Sequence, residues 1–136
     1  MSKLTLLFII ASLSYLCLGV TIGVIFTIHP DLIGVFLPMH AHANLLGWVS
    51  MMIFAVAYHV LPRFSGRPLF SETLGNVHLI LSNIGLLGLI IVWPLLRTRT
   101  YESVTLQAIH IVAALFYAIG AFLFVINIGK TVFGKD

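Results

Sequence analysis

The sequence predicts an all-α membrane protein: a single domain over residues 1–136, folded as an antiparallel bundle of four transmembrane helices. Composition is the first reason. Hydrophobic residues make up 60% of the chain, charged residues 8%, and mean hydropathy is +1.13. A water-soluble domain of this size would have to expose a large apolar surface. Charge placement is the second reason. Lys3, Asp31, Arg63, Arg67, Glu72, Arg97, Arg99, Glu102, Lys130, Lys135 and Asp136 all lie outside four uncharged runs at 4–28, 40–61, 73–96 and 103–129. Each run exceeds the roughly 20 residues a helix needs to cross the bilayer core. Short connections between them place successive helices side by side.

The first run follows Lys3, as a signal peptide would, but it is too long for a signal core and no clean small-x-small cleavage site follows it. Cys17 sits behind Leu16, which does not suit lipoprotein processing, and reads as a buried thiol. One cysteine excludes an intrachain disulfide. Gly19 and Gly23 form a small-xxx-small step for close helix approach, either within the chain or at a dimer seam. Pro30, Asp31, Gly34 and Pro38 then break the helix, and the apolar residues between them lie along the outer interface. The second helix runs HAHANLLGWVSMMIFAVAYHVLP and stops at Pro62. The third opens with Ser71 and Glu72 as cap residues and carries Trp93 near its outer end, where an aromatic belt is expected. The fourth begins after Tyr101 and Glu102 and finishes near Asn127.

Lys3, Arg63, Arg67, Lys130 and Lys135 fall on one side of this topology, Arg97 and Arg99 on the other. The positive-inside rule then places both termini in the cytoplasm of a bacterial or archaeal cell, with the chain multi-pass in the inner membrane. The pI near 9.4 reflects that bias and an attraction to anionic membrane lipids, not nucleic-acid binding, because the cations form no patch.

Five of the six histidines lie in or at the mouths of the apolar runs, where imidazole is costly unless paired or coordinated. His29, beside Pro30, reads as solvated. His40, His42 and His110 share the outer depth, His59 and His78 the inner depth. His42 and His59 are roughly 25 Å apart along one helix, too far to serve one iron. Pairing across helices is feasible, His42 with His110 and His59 with His78, each pair offering two imidazoles to a b-type haem. His59 also reads as a headgroup-level side chain, between Tyr58 and Pro62–Arg63. His40 and His42 point about 200° apart if both are helical. If Pro38 keeps the segment extended, they project together and could chelate copper. Asn44, Asn83 and Gln107 are candidates to orient the imidazoles, or else helix contacts. Gly47 would leave room for a flat macrocycle, walled by Trp48, Phe54 and Phe116.

From His42-Ala43-Asn44-Leu45-Leu46 to Tyr58-His59-Val60-Leu61-Pro62-Arg63, the second helix resembles the second transmembrane helix of the haem–copper oxidase catalytic subunit, especially cbb-type oxidases and nitric oxide reductases. The chain is similar to small stand-alone cytochrome oxidase subunit I-like membrane proteins, which correspond to about the first four of twelve helices. The resemblance implies that His42 is a low-spin haem ligand, with His40 the alternative if the register shifts. The remaining haem and copper ligands of that family lie on helices this chain lacks, so the resemblance does not imply a complete oxidase or reductase. The missing ligand then falls to His110, to His78 or to a neighbouring subunit, which favours a homo-oligomer.

The expected function is a small b-type haem protein holding one or two haems per chain or shared between chains, passing electrons, with quinol as the candidate donor, or binding a gas. A structural or assembly partner of a respiratory complex is the second reading. A copper protein using His40, His42 and His110 is the third, weakened by the lack of a Cys or Met cluster. No phosphate loop, nucleophile elbow, HExxH or intramembrane carboxylate pair points to another enzyme.

Overall fold

A computed structural model of the chain describes residues 1–98 and 103–134. Arg99, Tyr101, Glu102, Lys135 and Asp136, which enter the topology and capping arguments above, lie outside the described residues. The chain is about 90% helical and no strand occurs among the described residues. Four helical segments are long and apolar enough to cross a membrane: Lys3–Ile28, Pro30–Phe64, Glu72–Arg97 and Val104–Phe133. The protein therefore has the build of a multi-pass membrane protein, and its many exposed Ile, Leu, Val and Phe side chains are the surface such a build offers to lipid.

α1 (Lys3–Ile28) is capped by Ser2, whose hydroxyl accepts from the Thr5 N–H at 3.2 Å. Its inward face carries Phe8, Ser12, Tyr15, Gly19 and Ile22. Cys17 falls between these positions and is exposed, not buried as the sequence suggested: the phase that turns Tyr15 and Gly19 inward turns residue 17 out. The Gly19–Gly23 step is used within the chain. A methyl group on Gly19 would strike the Asn44 side chain, and one on Gly23 would lie 3.1 Å from the His40 ring.

The second span departs most from expectation. Pro30, Asp31, Gly34 and Pro38 do not open a loop. A 3-10 turn (Pro30–Leu32) leads directly into α2 (Ile33–His42), a π-helical stretch (Ala43–Ser50) and α3 (Met51–Phe64). Pro30 stands at a helix start, where its missing N–H costs nothing. Pro38 is tolerated in the helix interior, and Gly34, the residue its ring presses against, has open space around it. The span accordingly begins ten residues before the expected position 40.

In the π stretch the wider i→i+5 turn disturbs the regular carbonyl ladder, and side-chain hydroxyls take up the carbonyls. Ser50 Oγ donates to Leu45 O at 2.8 Å, Ser12 Oγ to Trp48 O at 2.8 Å and Tyr117 Oη to Leu46 O at 3.1 Å. Two of these three donors come from other helices, so the π stretch is also where α1 and the last helix grip the second span. α3 continues past Pro62 and ends in a Schellman motif. Gly66 adopts φ 65°, its N–H donates to Arg63 O, and the Arg67 N–H donates to Pro62 O.

α4 (Glu72–Arg97) is capped by Ser71, which accepts from the Leu74 N–H at 3.2 Å, as the sequence predicts. α5 (Val104–Phe133) is capped by Ser103. These two helices pack at backbone distance. A Cβ on Gly85 would lie 2.5 Å from Tyr117 N and 2.6 Å from Ala113 O, and one on Gly88 would lie 2.5 Å from Ala113 Cβ. Asn127 pins the start of α4 by accepting from the Ser71 N–H at 3.0 Å and donating to Ser71 O at 2.8 Å. The apolar core runs through Leu4, Phe8, Tyr15, Met51, Phe54, Tyr58, Leu86 and Ile90, so every span contributes to it except α5, which adds Phe124 and Tyr117 at its edge.

Candidate functional site

The five buried or mouth histidines sort into four environments, set by helix phase. His42 and His110 form the first. They come from different spans, lie within electrostatic reach of each other, and both have a buried Nδ1 with no hydrogen-bond partner. Neither ring takes part in any hydrogen bond among the described residues. An imidazole left this way inside an apolar bundle forfeits about 1–3 kcal/mol of hydrogen bonding. Trp93 shapes the approach to His110, with ring centroids 5.9 Å apart, and is itself held by its Nε1 donating to Val35 O at 3.0 Å. Arg97 lies 5.7 Å over the same indole, so the Trp93 ring is fixed from both sides.

His40 belongs to helix packing. Its Nδ1 is 3.0 Å from Gly19 O, its ring packs 5.5 Å from Phe26, and Asn44 Nδ2 lies 3.4 Å from the same nitrogen and donates to His40 O at 2.9 Å. Because α2 is helical to His42, His40 and His42 point in different directions, and the extended chelate for copper is not formed. Asn44 thus orients His40, not His42.

His78 is the third environment. It is fully buried, its Nδ1 is 3.0 Å from Tyr58 Oη, and four aromatic rings surround it: Phe54 at 4.6 Å, Phe8 at 4.9 Å, Phe124 at 5.6 Å and Tyr58 at 5.8 Å between centroids. A macrocycle has no room there. The expected partner, His59, is turned away: Arg63 donates to both His59 Nδ1 and His59 O at the basic end of the bundle. The structure therefore does not bring His59 and His78 together. Residues 58 and 59 differ by 100° of helix rotation, and it is Tyr58 that faces the core.

Gly47 offers no space for a flat ring on its inner side, because the Tyr15 ring already lies 2.5 Å from where its Cβ would stand. Of the expected walls, Phe54 stands at His78, and Trp48 is exposed while its carbonyl binds Ser12. Asn83 Oδ1 accepts from Tyr15 Oη at 3.2 Å and its amide donates to Leu79 O, whereas Gln107 is exposed. Among the described residues no group of three or more His, Cys, Asp or Glu comes together as a metal site. Sequence reasoning missed Tyr58, Tyr15, Tyr117, Ser12 and Ser82 as interior polar groups. Ser12 and Tyr15 carried a signal, hydroxyls three residues apart on one apolar helix, whereas Tyr58, Ser82 and Tyr117 have no hydroxyl three or four residues away.

No protein-family model, no curated protein and no solved structure matches the chain.

Proposed function

We propose that the protein is a small membrane-embedded b-type haem protein related to the haem–copper oxidase catalytic subunit, with His42 and His110 as its imidazole ligands. One observation carries this reading: two buried imidazole nitrogens on different spans, within electrostatic reach of each other and with no hydrogen-bond partner among the described residues. The donor set fits a haem better than a bare ion. Haem iron takes its remaining ligands as one or two axial groups, whereas a closed zinc or copper site needs three or four, and no third ligating side chain joins these two among the described residues. Bound haem would supply a one-electron iron couple in an apolar setting. The chain's own part is to hold the two rings, to exclude water with the surrounding helices and to fix the approach through Trp93. Since Tyr15 fills the inner side of Gly47, the macrocycle would reach the bundle surface. A second copy covering that edge makes a homo-oligomer part of the proposal, and α5, whose most apolar stretch is only 11% buried, is the face that offers itself.

The contacts between spans support an antiparallel bundle: Ser71 meets Asn127, Gly85 meets Tyr117, and Trp93 meets His110. Arg63, Arg67 and Lys130 share one end. By the positive-inside rule we place that end, and both termini, in the cytoplasm of a bacterial or archaeal cell. Quinol, a gas or a respiratory complex would then be the redox partner.

The test is an optical spectrum of the purified protein with pyridine haemochrome quantification after expression with ample haem. Soret, alpha and beta bands lost on His42→Ala or His110→Ala support the reading; colourless protein refutes it. A second reading, a packing partner of a respiratory complex, draws on the structural use of His40, Asn44, Gly47 and His78. It predicts colourless protein that co-purifies with larger oxidase subunits.

A further inference from the structure

A second buried polar feature stands apart from the His42–His110 pair. Starting at the basic end, Asn127 holds both main-chain groups of Ser71, and nearby Tyr58 Oη lies 3.0 Å from His78 Nδ1. Thr131 extends the network by donating to Asn127 O at 2.7 Å and accepting from the Phe70 N–H at 3.0 Å. Asn127, His78, Tyr58 and Thr131 are all buried. At about 1.5 Å per residue, this chain climbs roughly 10 Å along α4 from Ser71 to His78, and Ser82 lies about 6 Å further on.

The network ends without partners. His78 Nε2 and Ser82 Oγ are both buried with no hydrogen bond among the described residues, and each residue is 0% exposed. They are one helical turn apart, so they share a face of α4. With Tyr58 Oη donating to His78 Nδ1, Nε2 carries the ring hydrogen. That N–H and the Ser82 hydroxyl are one donor and one donor–acceptor on a single face, the arrangement that holds an internal water. Around the ring, α1 presents Phe8, α3 presents Phe54 and Tyr58, and α5 presents Phe124; Tyr58 is the titratable group among them. Gly120 brings the α5 backbone against this turn, with its Cβ position 2.5 Å from Ser82 Oγ and 3.3 Å from His78 O.

Tyr58 also lines a cavity of about 440 Å³ at the basic end, together with His59, Arg63, Arg67 and Glu72. Tyr58 thus borders the polar mouth, and its hydroxyl meets His78.

We propose that water occupies the turn between His78 and Ser82 and that Tyr58 links it to the mouth at the basic end, forming a proton-entry path that reaches partway into the bundle. In one passage, a hydronium in the cavity gives its excess proton to Tyr58 Oη as Tyr58 passes its own to His78 Nδ1 and His78 releases the Nε2 proton to the internal water. That water becomes hydronium, and the ring is left as its other tautomer. One O–H or N–H bond forms for each one broken, and no electrons are transferred. The path is independent of haem at His42 and His110.

Full-length protein labelled with ¹⁵N-histidine, reconstituted in lipid bilayers and studied by water-edited solid-state NMR, tests it. The His78 Nε2 proton should show a cross-peak to water and exchange with D2O. Tyr58→Phe, which keeps the ring and removes the hydroxyl, should slow that exchange at least tenfold, and Ser82→Ala should weaken the water cross-peak. A wild-type ring proton with no water contact and no exchange over days would overturn the proposal. So would wild-type exchange in Tyr58→Phe.

Discussion

Replacing Gly85 with alanine should loosen the protein, whereas the same change at Gly129, in the same membrane setting, should tighten it. An ideal Cβ on Gly85 would stand 2.5 Å from Tyr117 N, 2.6 Å from Ala113 O and 3.0 Å from Tyr117 Cα, against ordinary contacts of 3.4–4 Å. The shortfall is close to 1 Å, and all three atoms are main chain, so no rotamer change can relieve it. α4 and α5 would have to move apart, and overpacking of this kind costs about 1–3 kcal/mol. Alanine's better helix propensity returns about 0.8–1 kcal/mol of this. At Gly129 nothing lies within 4 Å, so only the propensity gain applies. The two variants should therefore differ by about 2 kcal/mol, roughly a 30-fold ratio in the folding equilibrium. Reversible unfolding in mixed detergent–SDS micelles, followed by tryptophan fluorescence and circular dichroism, measures the difference. Equal stabilities, or a more stable Gly85→Ala, would mean that α4 and α5 do not meet at backbone distance, and the placement of His110 beside Trp93 would lose its basis.

Other outcomes follow from single contacts. His42→Ala and His110→Ala should each lower haem retained per chain at least tenfold by pyridine haemochrome, while His59→Ala, whose ring is held by Arg63, should leave it unchanged. Asn127→Leu removes both bonds to Ser71 and should destabilise the chain by about 1–3 kcal/mol in the same SDS titration, with faster amide exchange at the start of α4. Trp93→Phe loses the bond to Val35 O and should cost about 0.5–1.5 kcal/mol, with a quenched fluorescence component that reports the loss of one of the two tryptophans.

The four spans were legible in the sequence because hydropathy is a sum over roughly 20 residues and tolerates local exceptions. Ser71 as a helix cap was legible for a different reason, since capping needs only one hydroxyl at a fixed offset from a free N–H. The helical run through Pro30 and Pro38 was not. Proline marks a break in water, but inside a membrane the backbone has no solvent to turn to and stays helical wherever neighbouring groups allow. Cys17 and Gly47 were misplaced because each depends on rotation about a helix axis, and 100° per residue separates an inward side chain from an outward one.

The amino-acid order by itself determined a chain of four apolar helices with imidazoles at two depths, because depth follows from counting residues at 1.5 Å each. Tertiary packing alone decided which imidazoles are spoken for. His40 is bound to Gly19 O, His59 to Arg63 and His78 to Tyr58, while the His42 and His110 rings have no hydrogen-bond partner among the described residues. The azimuth of each ring is set by the π turn after His42 and by glycine contacts between helices, interactions between segments far apart in the chain that no local pattern encodes.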